Sequence, residues 1–234
     1  MPEDVAFGNG GEDRVVGWGQ SAKPDRLPAD DLMRRRRGFE RHRTFAPGLD
    51  KRRNPLIFSR MEHYEFHKRL KAIHEKAVAK YAAGEREADA YFDESETAFL
   101  QSIGATPVEM YDFAEDWVSE REPDWESCLL IQTIRRDFFL LEQGGEPSGT
   151  RLPMSDYPEK DDEADGIPWL PRLILKAKSK LRGEMPVDLM YCCGGDRDFF
   201  RTHDIHPSEF LHLTWRNIDN DRAIIDWVLQ RRGK

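Results

Sequence analysis

The chain has 234 residues and a formal net charge of −8, with 34% charged and 38% hydrophobic residues. That length holds one or two domains, and a mean hydropathy of −0.75 with no apolar run of about 18 residues excludes a membrane-spanning helix. Three cysteines are too few for a secreted disulfide scaffold and point to a reducing cytoplasm, and residues 1–19 lack the charged-then-apolar order of a secretory signal.

Residues 1–55 read as an extended arm. Gly8, Gly10, Gly11, Pro24, Pro28 and Pro47 break any periodic pattern, and the segment is too poor in apolar side chains to offset its ordering entropy. Positions 34–53 carry nine cations (Arg34, Arg35, Arg36, Arg37, Arg41, Arg43, Lys51, Arg52, Arg53) and two anions, Glu40 and Asp50. That 34–53 stretch is therefore +7 and the remainder of the chain −15, an asymmetry that implies different partners for arm and body. Arg34–Arg37, Arg41 and Arg43, interleaved with Phe39 and Phe45, are the expected partner-binding residues. Guanidinium forks suit an acidic protein surface, including this protein's own body, or phosphates. An acidic pI of about 5.5 weighs against a duplex.

Four helices are expected next, within residues 56–143. The first spans 58–83, with Tyr64, His67, Leu70, Ile73, His74, Ala77 and Tyr81 on one face, and stops at Gly84. The second covers 88–102. The third opens at Thr106-Pro107-Val108-Glu109, a capping box with proline in the first turn. The fourth runs from 124 to 142 with a buried stripe of Leu129, Leu130, Ile134, Phe138 and Leu141. Residues 144–166 read as an acidic Pro/Gly linker whose like charges stretch it. Residues 167–234 form a second unit. Its helices are a Trp169–Leu181 helix, one over 197–203 capped by Asp196, one opening at Pro207 and one over 219–232. The expected fold is all-α: two related four-helix units in tandem behind an extended N-terminal arm.

The tandem relation rests on an offset of 100. Positions 70–113 share eight identities with 170–213: Leu70, Lys76, Ala77, Lys80, Tyr91, Phe99, Pro107 and Glu109 with Leu170, Lys176, Ala177, Lys180, Tyr191, Phe199, Pro207 and Glu209. Ordinary composition gives about three by chance. A five-residue shift then aligns the last helices, setting Leu129 against Ile224. The second half, from Leu170-Pro171-Arg172-Leu173 through Tyr191-Cys192-Cys193-Gly194-Gly195-Asp196-Arg197 to His206-Pro207-Ser208-Glu209-Phe210, resembles the bacterial family catalogued as domain of unknown function 5069, over residues 168–232. That resemblance implies a small helical domain of bacterial origin and no catalytic residues; the first half would be a diverged copy without the Cys-Gly-Gly element.

Two side-chain sets could carry chemistry. Cys192 and Cys193 precede His203 and His206, residue types that ligate zinc or iron, and a helix N-terminus beside Cys192 favours thiolate. The Cys-Cys spacing matches no standard metal motif. His63, His67 and His74 fall within about 40° on one helical face, and Glu109 and Asp112 form part of a carboxylate stripe on another; meeting faces would give a bundle metal site. No Walker, Gly-x-Ser-x-Gly or His-Glu-x-x-His motif is present. The expected function is therefore a non-enzymatic cytoplasmic assembly protein, with no cofactor, whose arm engages a partner or sister subunit. A zinc-, iron- or thiol-dependent enzyme in the second unit and nucleic-acid binding through the arm are the alternatives.

Overall fold

The structure, a computed structural model, describes residues 63–232; the arm residues Arg34–Arg37, Phe39, Arg41, Arg43 and Phe45 lie outside this range. The described fold is all-α, with eight α-helices and one two-residue hairpin. A 3₁₀ turn at His63–Glu65 leads into α1 (Phe66–Ala82), which buries Leu70, Ile73, His74, Ala77 and Tyr81. Tyr64, expected on this face, is 87% exposed because it precedes the helix. The expected 88–102 helix is broken: Ala88–Ala90 is a 3₁₀ turn, and α2 (Glu94–Ser102) starts afresh where Asp93 and Glu96 close a capping box. α3 (Pro107–Glu120) begins at the Thr106/Glu109 box, as its residues require.

α4 (Trp125–Leu141) is capped by Asp124, which accepts from the Ser127 N–H at 2.8 Å. Its buried face is Cys128, Ile131, Gln132, Arg135, Phe138 and Phe139. Of the expected stripe only Phe138 is fully inside; Leu130 and Leu141 are exposed. The reason is the polar content of the true inner face: Gln132 and Arg135 are buried and bonded, which hydrophobic patterning counts as outside.

The acidic connection does not stand off the body. Leu152 N–H donates to Glu184 O at 2.9 Å, Arg151 to Met185 O at 2.8 Å, and buried Tyr157 shares a 2.6 Å hydrogen bond with Ser179. It ends in a hairpin, β1 (Glu163–Ala164) against β2 (Ile167–Pro168), turned by Asp165 and Gly166, both with positive φ.

α5 (Leu170–Arg182) follows, then α6 (Gly194–Thr202), α7 (Pro207–Arg216) and α8 (Asp221–Arg232). α6 starts three residues earlier than expected: Cys193 occupies the cap position, and Asp196 lies inside the first turn. One continuous core runs from Leu70 to Val228, with α1 on α3, α4 on both α5 and α7, and α5 on α7.

The two halves share helix bounds. α1 and α5 end at Ala82 and Arg182, α2 and α6 span 94–102 and 194–202, and α3 and α7 start at Pro107 and Pro207. Gly104 and Asp204 both take positive φ after the second helix, and Ala105 and Ile205 donate back to Leu100 and Phe200. The caps Asp124 and Asn220 each accept from the amide three residues on.

Candidate functional site

The densest polar arrangement is at the α5–α6 corner. Lys176 and Asp196 are both fully buried, with Nζ 2.5 Å from Oδ2. The same carboxylate accepts from the Cys192 N–H at 2.8 Å and from Trp169 Nε1 at 2.9 Å. Lys176 donates also to Cys193 Sγ at 3.2 Å. Three donors on one carboxylate offset the desolvation of a pair held out of water. The chain reaches this geometry through positive φ at Trp169 and Cys192, and Gly195 is required because a Cβ there would lie 2.6 Å from the Trp169 ring.

Arg197, only 5% exposed, carries the corner across to the first half. It donates to Asp116 at 2.6 Å, to Cys192 O at 2.8 Å and to Glu120. A second buried link lies deeper: Lys180 donates to Glu109 at 2.9 Å, and Arg135 donates to Leu181 O at 2.8 Å. Burial opposes the charge on Glu109, but Lys180, Arg135 and the Thr106 N–H together outweigh it and hold the carboxyl below its usual range.

Between the Glu122–Asp124 loop and the start of α7 opens a cleft of about 440 Å³, with Cys192, Arg197, Phe200, Arg201 and His206 in its walls. His206 Nδ1 accepts from the Ser208 N–H at 3.2 Å, which assigns the neutral ring's proton to Nε2. Nε2 then donates toward Ser127 Oγ at 3.3 Å.

The structure disperses the expected chemical residues. Cys192 and His206 share the cleft, but Cys193 faces Lys176, and His203 stacks on Phe199 at 4.2 Å with Nδ1 2.9 Å from Phe199 O. Burial, then the Asp196 charge, pushes the Cys192 thiol up, the opposite of the expected thiolate. His63 lies 2.5 Å from Arg136, His67 packs edge-on to Phe66, and His74 sits in the core beside Trp125, kept neutral by burial. Glu109 is engaged by Lys180, and Asp112 is pushed up to about 7 by burial and by the Glu109 and Glu115 carboxylates. Among the described residues no three His, Cys, Asp or Glu side chains stand close enough to hold a metal ion, and no helix is long and apolar enough to cross a membrane.

Trp169, Lys176 and Arg197 were not among the expected site residues. The offset of 100 contains the signal: it aligns Lys76 with Lys176 and Glu96 with Asp196, and Lys76 and Glu96 also form an ion pair, at 2.6 Å. No protein-family model matches the chain, and neither the curated proteins nor the solved structures contain a match.

Proposed function

We propose that this chain is a non-enzymatic assembly protein of the bacterial cytoplasm, whose cationic arm engages the acidic body of a sister subunit. The observation that carries this reading is charge segregation: +7 within residues 34–53 against −11 over residues 56–234. Opposite fields of that size steer encounter and fix orientation. The state of the candidate chemical groups supports it as well. Lys176, Asp196, Lys180 and Arg197 are consumed by structural pairing, and Cys192 is a buried neutral thiol.

The same reading takes the body as two copies of one four-helix unit. Its support is the shared helix bounds, the paired positive φ at Gly104 and Asp204, and the recurrent Lys–carboxylate pair. The bacterial origin comes from the resemblance of residues 168–232. The alternative enzyme reading draws on Cys192 and His206 sharing one cleft; zinc or iron bound at one equivalent by elemental analysis would favour it.

Light scattering of the full-length chain tests the assembly reading. The expected mass is a multiple of one chain, falling to one chain when Arg34, Arg35, Arg36 and Arg37 are all changed to Glu. A single-chain mass for the unaltered protein would overturn it.

A further inference from the structure

Cys193 holds the N-cap position of α6 without capping it: its side chain accepts no hydrogen bond from the first turn. The matching position 100 residues earlier is Asp93, which accepts from the Glu96 N–H at 2.9 Å and closes a capping box. A cap of that kind contributes about 1 kcal/mol, which Cys193 forgoes. Its sulfur meets a different group. Lys176 Nζ, on a side chain with no exposed surface, donates to Cys193 Sγ at 3.2 Å and to Asp196 Oδ2 at 2.5 Å. Cys193 itself is partly exposed, so this residue joins solvent access to contact with an amine sealed inside the fold. Cys128 and Cys192 are both closed to solvent.

We propose that Cys193 and Lys176 form a modification site, at which hydrogen peroxide joins Sγ to Nζ as a sulfenamide. First the sulfur attacks one peroxide oxygen. An S–O bond forms, the O–O bond breaks, and the thiol proton leaves with the departing hydroxide as water. Sulfur is oxidised to the sulfenic acid, and the peroxide is reduced. Lys176 then passes one proton to Asp196, and the free amine attacks the sulfur. The N–S bond forms, the S–O bond breaks, and the departing hydroxide takes a second proton from the nitrogen as water. Condensation of a sulfenic acid with nitrogen is an established branch of cysteine oxidation, and here the nitrogen already touches the sulfur. The flexible lysine stem covers the remaining approach. The step also turns a buried ion pair into two neutral groups, which removes the desolvation penalty of the charges. The new bond ties α5 to the head of α6, at the corner from which Arg197 reaches Asp116.

Full-length protein treated with near-stoichiometric hydrogen peroxide, then denatured, alkylated and digested with trypsin without reductant, tests the site. The product should weigh about 2 Da less than the untreated chain, the loss of two hydrogens. Iodoacetamide should then find two thiols where the untreated chain offers three. Trypsin should fail to cut after Lys176, leaving peptide 173–178 joined to peptide 183–197, and dithiothreitol should restore both the cut and the third thiol. Cys192→Ala should keep the link and Cys193→Ser should abolish it; both variants retain Lys176 and Asp196, so neither strands a buried charge. A disulfide between Cys192 and Cys193 loses the same mass but leaves one alkylatable thiol and a cleavable Lys176, and that result overturns the proposal. So does a link that disappears in Cys192→Ala, a Cys193 that goes on to the sulfinic acid, or one that does not react.

Discussion

Lys176 and Asp196 form an ion pair in which both side chains are 0% exposed, and the same pair recurs 100 residues earlier between Lys76 and Glu96, at the surface, with side chains 37% and 22% exposed. The chemistry is alike and the dielectric differs. Removing one partner of a buried pair strands a charge and costs about 3–5 kcal/mol, whereas an exposed pair contributes under about 1 kcal/mol. Lys176→Met should therefore lower the urea midpoint sharply, and Lys76→Met only slightly. Equal losses would show that the Asp196 carboxylate is supported without its lysine.

Gly194 and Gly195 are adjacent in the first turn of α6 and should respond with opposite signs. A Cβ at Gly195 meets the Trp169 ring at 2.6 Å, and the indole cannot retreat without breaking its bond to Asp196. A Cβ at Gly194 meets nothing nearer than 3.7 Å. Gly195→Ala should destabilise by about 1–3 kcal/mol through overpacking. Gly194→Ala should stabilise by a few tenths to about 1 kcal/mol by restricting the unfolded chain. Thermal denaturation of both variants reads the two signs directly.

Helix existence was legible wherever a local device set it. The Thr106/Glu109 box, Pro207 and Gly183 each start or stop a helix where their chemistry demands. Inward faces were legible only where they were apolar. α1 shows its core stripe openly, but α4 hides its own, because buried Gln132 and Arg135 find partners supplied by other parts of the chain: Glu109 for the glutamine, Leu181 and Gln143 for the arginine. Asp196 looked like a cap from its place after two glycines; its partners Lys176 and Trp169 stand 20 and 27 positions upstream, beyond the range of local pattern. The Asp165-Gly166 turn, by contrast, is a short-range signal that could have placed the hairpin in the acidic connection.

The three cysteines should separate by reactivity. Cys128 and Cys192 are 2% and 0% exposed, and burial pushes both thiols up. Only thiolate alkylates, and only where reagent arrives. Cys193 is partly exposed at the head of α6. Native protein treated with iodoacetamide should take up one adduct, on Cys193, and three after urea denaturation. Native labelling at Cys192 would mean that the cleft opens far enough to admit reagent.

Asp112 should impose a pH dependence on stability. Burial, followed by the charges of Glu109 and Glu115, lifts its carboxyl from 3.8 to about 7. The folded state thus holds this proton more tightly than the unfolded state does. The resulting stability is fully present below about pH 4 and is lost as pH rises through about 7. His74 acts in the opposite sense: burial lowers its value from 6.5, so stability is lost as pH falls below that point. Comparing Asp112→Asn with the unaltered protein cancels the histidine contribution. The variant should be more stable by about 2 kcal/mol at pH 8, a shift of this size discounted for partial solvent access, and equal at pH 4. Urea melts at the two pH values measure the difference; a gain that is the same at both would place its origin in packing rather than in the proton.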